Sequence, residues 1–574
     1  MLNTNIVEKD KLREVQLNTL KIIKDSIANS FGPYGSNTMI IRNQVSSSYT
    51  KDGLKILNEI KFKDPIEHHI ARNIVEISRD VAKRIGDGTT SAVILSYYIM
   101  EELSQGDFLN QYPPAKIVKV IKSVAKLIGE KIKTKVKETT PEEIYNIAYI
   151  STNGNADIAN ELKIIYENYG NGVFIDVGTS TTGDTIVKEY DGMTLEEGYA
   201  NPCFVNNDRG TARIRNPKVY AFKDPIDTAE MMEFMRAIID NNIFKHAKDG
   251  NYIPTVILAP RISQDLNSYI EYVNKAMSNT ALGNRPPLLI VTNFSAFYDQ
   301  FTDIAYMCGC RMIQKYIDPK MQQEAIKRGD APTPKNVAVW AAGGAEVVEA
   351  DTLYTKFIKP NKFYDKDGKP TTDYTTLINF LTQQLEEADK AGEGANVVGN
   401  LKRRINSLKA NMVELLIGGV SNIDIESYQD LVEDAVLNCR SAAANGCGYA
   451  ANVEGLCAAS ELHEEYFKGD ATVGDDKGIY DTVISAFASA YVKVETLLIG
   501  SSMTYSDDKV AEIVNQIIDT HTPFNIVDEC FDEKLLSSIN SDIFALDSIS
   551  KILSIMITAN QCFLDNPIMN IYSD

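Results

Sequence analysis

Gly86-Asp87-Gly88-Thr89-Thr90-Ser91 runs directly into the apolar stretch Ala92-Val93-Ile94-Leu95. Two glycines bracket an aspartate, hydroxyl residues follow, and a helix is expected to begin there. Glycine lets backbone N–H groups turn toward an anion. The first turn of a helix adds donors that have no intrahelical partner, at the positive end of the dipole. Thr89, Thr90 and Ser91 contribute hydroxyls, and Asp87 can hold Mg²⁺ against a phosphate that it could not bind alone. The stretch reads as a phosphate and metal cradle at a helix N-terminus. An ordinary loop with a threonine cap is the plainer alternative, and the rest of the chain has to decide between them.

Upstream, Ile66, Ile70, Ile74, Ile77, Val81 and Ile85 form a stripe at helical spacing that delivers the chain to this loop. Further back, Leu20, Ile23, Ile27 and Phe31 mark a helix over 10–31 that Gly32-Pro33-Tyr34-Gly35 stops. A strand-like run, Thr38 to Arg42, leads to the charged turn Thr50-Lys51-Asp52-Gly53. Downstream, Ile117, Ile121, Val124, Ile128 and Ile132 mark another helix, and Thr140-Pro141-Glu142-Glu143 is a capping box. From about 172 to 375 short β-type runs alternate with helical ones. Strands are expected at 173–177, 219–222, 255–259, 287–292 and 337–341, helices at 227–241, 262–277 and 295–308, and an exposed hairpin or loop over 359–376. Helical texture then returns. In the helix expected over 425–445, Val432, Val436 and Cys439 face one way and Asp430, Asp434, Asn438 and Ser441 the other. Asp434 is thus on a polar face that is either solvated or lines a site. The order helical, α/β, helical predicts one domain inserted into another.

The chain has 574 residues, enough for several domains, with a net charge of −20 that argues against a nucleic-acid binder. No apolar run of about 18 residues is apparent, so no membrane span is expected. Met1 to Glu14 is polar and charged, so no secretory leader is expected and a cytoplasmic protein follows. The eight cysteines show no paired zinc spacing and read as free thiols.

Several motifs occur in the order and spacing of one family. Gly32-Pro33-x-Gly35, Thr50-Lys51-Asp52-Gly53, Gly86-Asp87-Gly88-Thr89-Thr90, Ile150-Ser151-x-Asn153, Gly192-Met193, Gly198-Tyr199-x-x-Pro202-x-Phe204 and Val432-Glu433-Asp434-Ala435 together resemble the group I chaperonins, the GroEL type. The resemblance is close over 1–205, loose over 206–410 and moderate beyond. It implies an α+β multidomain chaperonin fold: a mostly helical equatorial ATP-binding domain (1–135 and 446–574), a small intermediate domain (136–190 and 412–445), and an inserted α/β apical substrate-binding domain (191–411). It further implies an ATP-dependent homo-oligomer, a seven-membered ring that binds unfolded client proteins, with Mg²⁺ and K⁺ as accompanying ions. A lid-like co-chaperonin is a partner that the departures below put in question. Neither nucleic acid nor membrane is implied as a partner.

Carried over by motif, Ser30, Phe31, Gly32, Pro33, Lys51, Gly88, Thr89, Thr90, Ser91 and Ser151 would contact nucleotide, and Asp87 would hold Mg²⁺. Asp52 and Asp434 would be catalytic, acting on the attacking water. Phe524-Asn525-Ile526-Val527 and Ala545-Leu546-Asp547 resemble the adenine- and ribose-binding segments, giving Asn525 and Asp547 as further contacts. The family's triple glycine falls on Ala450-Ala451-Asn452, which predicts a less close approach of the backbone to the base at Ala451. An arginine–glutamate pair between intermediate and apical domains falls on Glu197 and Asn422, and a ring-joining pair falls on Glu495 and Thr504. With Asp507 and Asp508 nearby, the second substitution predicts like charges between rings, hence a single ring or a labile double one. On the apical side a Met and aromatic stripe at helical spacing reads as core by itself. With the resemblance it reads as a client groove made by Met232, Met235, Tyr269 and Ile270 with Tyr199 and Phe204. These departures suggest a divergent member, of a kind a virus could encode. A chaperonin-like ring that scaffolds proteins without turning over ATP is the competing function. A P-loop NTPase is disfavoured, because G-x-x-x-x-G-K-[ST] is lacking.

Overall fold

The structure is a computed structural model. It describes residues 4–565 except 42–46, 86–87, 172, 181–183, 191, 196, 208–209, 247–250, 267, 269, 272–286, 293–298, 316–322, 324–332, 353, 361–362, 365–369, 372–374, 392–396, 399–400, 402–403, 406–407, 409–411, 419–421, 472 and 475. The chain forms two compact units, and the second (Tyr169–Asp176 and Val187–Leu415) interrupts the first (Met1–Asn168, Val177–Ile186 and Leu416–Asp574). This is the inserted order read from the sequence.

The first unit is built of helices whose apolar stripes meet in one core. Leu20, Ile23 and Ile27 on the helix Lys9–Ala28 are buried, as are Ile117, Ile121, Val124, Ile128 and Ile132 on the helix Pro114–Thr134. Helices from late in the chain, Val453–Lys468, Lys477–Gly500 and Ile539–Thr558, pack against Thr89–Leu103 and Pro114–Thr134, so both chain halves complete one core. The expected capping box forms: Glu143 accepts the Thr140 N–H at 2.9 Å and opens the helix Pro141–Ser151.

The helix Lys477–Gly500 is long and apolar enough to cross a membrane by composition, which the sequence reading missed. Here it is a core helix, with Val483, Phe487, Ala490 and Val494 buried. Its Glu495 overturns the expected ring-interface charge. Glu495 is 1% exposed, its Oε2 finds no hydrogen-bond partner among the described residues, and burial followed by the charge of Asp542 pushes its carboxyl up to about 8. A residue inside the subunit cannot present charge to a second ring. Asp507 and Asp508 are exposed, but they occupy the first turn of the helix Asp507–Thr520, where the dipole favours them.

The second unit is organised on an eight-stranded mixed sheet. Along its main path the order is Leu288–Thr292, Thr255–Ala259, Lys218–Phe222, Gly343–Ala350, Thr355–Pro360, Gly192–Leu195. The first three strands are parallel and buried throughout their apolar length, as parallel strands covered on both faces must be. Asp303 and Arg404 form a bidentate pair at 2.8 and 2.9 Å inside this unit. The strand expected at 337–341 is instead a short helix, Val337–Trp340. Asn336 fixes the turn before it by accepting from the Thr333 amide at 3.0 Å, and Val339 points out, 84% exposed. The hairpin expected within 359–376 is present as Phe363–Tyr364 paired with Pro370–Thr371. Half of the helix expected over 262–277 lies outside the described residues, and the described positions from Gln264 to Glu271 are helical.

Candidate functional site

The helix Thr89–Leu103 starts at Gly88, which sits at φ +83°, a backbone setting that favours glycine. The first intrahelical bond runs from the Ala92 N–H to the Gly88 carbonyl at 3.0 Å, so the amides of Thr89, Thr90 and Ser91 precede the ladder. Two segments close on this terminus. A Cβ on Gly53 would lie 2.2 Å from Thr90 Oγ1, and a Cβ on Gly88 would lie 3.2 Å from the Ser541 carbonyl oxygen. The 50–53 turn and the start of the helix Ile539–Thr558 therefore flank the cradle. Asp87, the expected metal ligand, lies outside the described residues. Among the described residues no group of three or more His, Cys, Asp or Glu could hold a metal.

Asp52 caps the helix Gly53–Glu59, accepting the Leu54 N–H at 2.7 Å while its own N–H donates to Thr50 Oγ1 at 3.1 Å. Burial raises its carboxyl above the usual range, against the lowering effect of the Leu54 and Lys55 amides. Lys51 is exposed. Lys55 pairs with Asp430, one turn before Asp434 on the helix Asn422–Asn445. The structure thus brings the Asp52 turn and the Asp434 helix together.

The C-terminal half of that helix's polar face is buried, while Asp430 and Asp434 stay partly exposed. Asn438 is 1% exposed and Ser441 is 8% exposed. Asn438 Nδ2 donates to Ser151 Oγ at 3.1 Å, and its Oδ1 accepts the Ser538 N–H at 2.8 Å and the Ser537 hydroxyl at 3.3 Å. Ser441 Oγ accepts the Ser538 hydroxyl at 2.7 Å, and Ser537 and Ser541 hydroxyls lie 3.3 Å apart. A buried polar seam runs from Ser151 through Asn438 and Ser537 to Ser541, beside Gly88. Sequence reasoning placed Asn438 and Ser441 on the right face but gave them no role, and it overlooked Ser537, Ser538 and Ser541. The clue was the recurrence of polar residues at 430, 434, 438 and 441 opposite an apolar stripe.

The turn Ser30–Gly35 follows the helix Lys9–Ala28. Ser30 is buried and donates to the Ile27 carbonyl at 2.9 Å, while Gly32 at φ +78° packs so closely on Leu498 that a Cβ would lie 2.5 Å from its Cδ1. Phe31 packs partly buried against the core, and Pro33 is exposed. The hydroxyl of Tyr34 donates to the Ile526 carbonyl at 3.4 Å, which sets this turn beside Asn525. Asn525 itself accepts from the Val527 and Asp528 amides at 3.0 and 3.1 Å. Ala451 and Asn452 both sit at φ +59°. The glycine-type backbone is therefore retained where glycine is absent, at the cost of local strain. Glu454, 1% exposed, steadies this loop by accepting the Tyr449 N–H at 2.9 Å.

Asp547 does not join the cluster. It lies eight residues past Ile539, roughly 12 Å along the helix, on an exposed face where it pairs with Lys551 at 2.7 Å. The short hairpin of Phe524–Asn525 with Cys530–Phe531, followed by the strand Leu536–Ser538, takes up chain between the two segments and shifts the register.

The client groove is also corrected. Phe204 is 4% exposed, Met235 0% and Ile270 1%. With Met231, Phe234, Ile238 and Ile239 they belong to the core of the second unit, because the apolar stripe of the helix Ala229–Asn242 is what the sheet buries. Met232 and Tyr199 are half-buried, and Tyr269 lies outside the described residues.

The family model of the TCP-1/cpn60 chaperonins matches residues 23–539. Among solved structures the chain is similar to the chaperonin gp146 of bacteriophage EL 2 (Pseudomonas aeruginosa), solved in two crystal forms in the presence of ATP-BeFx. One form superposes with a TM-score of 0.72 at 17% identity, over 97% of this chain and 98% of that one. The other gives 0.63 at 18% identity, over 97% and 99%. The low identities fit the divergence read from the motifs, and the match over both chains shows the fold.

Proposed function

We propose, for a chain that belongs to the TCP-1/cpn60 chaperonin family, that it is a chaperone which binds and hydrolyses ATP at the Gly88 cradle to drive the folding of unfolded proteins. The observation that carries this reading is convergence. Gly88–Ser91, the Asp52 turn, the Asp434 helix and Ser151 come from four separated parts of the sequence and meet around one helix N-terminus. Phosphoryl transfer to water needs charge neutralisation and a positioned nucleophile more than covalent chemistry. The amides and hydroxyls of Thr89, Thr90 and Ser91 with Lys51 would hold the phosphates. Mg²⁺, carried by Asp87, would neutralise them. Asp52 and Asp434 would orient the water and accept its proton, and the raised carboxyl of Asp52 suits a proton acceptor. The Ser30–Pro33 turn, Asn525 and Ala451 would border the rest of the nucleotide.

The same reading includes a seven-membered homo-oligomeric ring in the cytoplasm, K⁺ as a second ion, and division of the first unit into equatorial and intermediate domains near 135 and 445. Client contacts rest on Tyr199 and Met232, the half-buried members of the original set. The phage chaperonin solved with an ATP analogue supports the nucleotide assignment by analogy. A phosphate-release assay on the purified chain tests it: Mg²⁺-dependent release is expected. Nucleotide binding without release would favour the scaffolding ring instead. Negative-stain images showing seven-fold particles are expected from the same preparation.

A further inference from the structure

We infer that Asn438 is a positioning residue that sets the direction of the Asp434 carboxylate, an inference that rests on the ATPase reading above. Asn438 lies four residues after Asp434 on the helix Asn422–Asn445, about one turn or 6 Å along the same face. A helix turns as a unit, so a peg at 438 fixes the azimuth at 434. The peg is held from two sides. Ser151, at the end of the helix Pro141–Ser151, receives the amide proton at 3.1 Å, and the strand Leu536–Ser538 gives a backbone N–H at 2.8 Å and a hydroxyl at 3.3 Å. Ser541, joined to Ser537 at 3.3 Å, abuts Gly88, so the peg is tied to the cradle itself. Ser441 repeats the contact lower on the helix through the Ser538 hydroxyl at 2.7 Å.

Plain packing does not call for these bonds. Val432, Val436 and Cys439 already bury the opposite face of the helix, and apolar contacts are tolerant of small rotations. An amide satisfied on both its nitrogen and its oxygen is directional, and it fixes one rotation out of many. Displacing a reacting group by about 1 Å can cost up to about 100-fold in rate.

A double-mutant cycle tests this. In the full chain, Asn438→Ala should slow turnover at saturating ATP by about 10- to 100-fold. Affinity for a non-hydrolysable ATP analogue should stay within about threefold, because the cradle is left in place. In single-turnover measurements with labelled ATP, adding Asn438→Ala to Asp434→Ala should slow hydrolysis by less than about twofold, since no carboxylate is left to aim. Asn438→Asp, which keeps the volume and the acceptor for the Ser538 amide, should recover part of the loss, and it decides the matter if the alanine variant does not fold. Equal slowing in both backgrounds, parental turnover in Asn438→Ala, or a loss felt wholly as weaker analogue binding would overturn the inference. If Asp434→Ala alone hydrolyses at the parental rate, the ATPase assignment of Asp434 fails first, and the inference falls with it by a distinguishable result.

Discussion

The helix Asn422–Asn445 in the first unit and the helix Ala229–Asn242 in the second each carry a stripe that the sequence offers as functional. On the first the stripe is polar, and the structure buries Asn438 and Ser441 with hydrogen bonds to separate segments of the chain. On the second the stripe is apolar, and the structure buries Met231, Phe234 and Met235 under the sheet. Burial of apolar side chains is the ordinary outcome and says nothing of a ligand. Burial of polar side chains costs free energy unless their bonds are made, so a buried polar stripe reports a demand for direction. The same periodicity thus carries different information according to the chemistry it repeats.

The largest effect is expected where the polar stripe ends in chemistry. Asp434→Ala should lower hydrolysis by roughly 10²–10⁴ while ATP analogues still bind. Parental turnover in a steady-state assay would remove the contrast between the two helices. Next, the apolar stripe should behave as core. Phe204→Ala and Met235→Ala should each cost about 2–5 kcal/mol in urea unfolding of the second unit. Met232→Ser, half-buried, should cost under about 1 kcal/mol and should weaken capture of an unfolded client. Selective loss of capture from the Phe204 or Met235 variants, with stability intact, would restore the groove that the burial pattern rejects.

A third test concerns polar burial that lacks satisfaction. Glu495 has an oxygen with no hydrogen-bond partner among the described residues and a carboxyl pushed up to about 8 from the usual 4.5. Between those values the folded chain keeps a proton that the unfolded chain has released. The contribution of Glu495 to stability therefore falls as pH rises from about 4.5 to about 8 and levels off above. Glu495→Gln should remove that slope and be more stable than the parent by about 2–4 kcal/mol at pH 9, with near parity at pH 5. Parallel pH profiles from chemical denaturation would contradict it. The smallest effect is local. Ala451 at φ +59° is strained where glycine is not, so Ala451→Gly should stabilise by about 0.5–1 kcal/mol after the entropy cost of glycine. A shift to lower denaturant midpoints would show that the loop is not strained.

Much of the fold is legible in the chain because the responsible signals are local. The stripe from Ile117 to Ile132, the Thr140 capping box and the Thr255–Ala259 run each name their element directly. The stretch 337–341 misleads because five consecutive apolar residues have no period, and the Asn336 turn settles the first four as a helix. The cradle is legible because glycine at φ +83° followed by hydroxyls at a helix start is a local pattern. The seam is not, because Ser151, Asn438 and Ser537 meet only in three dimensions. Asp547 and Glu495 mislead for related reasons. The first depends on the length of chain folded between 525 and 539, and the second on which side of a continuously apolar helix turns inward.

The most direct test of the central claim is a cryo-electron microscopy structure of the assembled protein with Mg²⁺ and a non-hydrolysable ATP analogue. Phosphate density is expected at the amides of Thr89–Ser91, between the Asp52 turn and the Asp434 helix, with Asn438 still bonded to Ser151 and Ser538. Nucleotide density at any other place in the chain, or an occupied cradle from which the Asp434 helix is turned away, would contradict it.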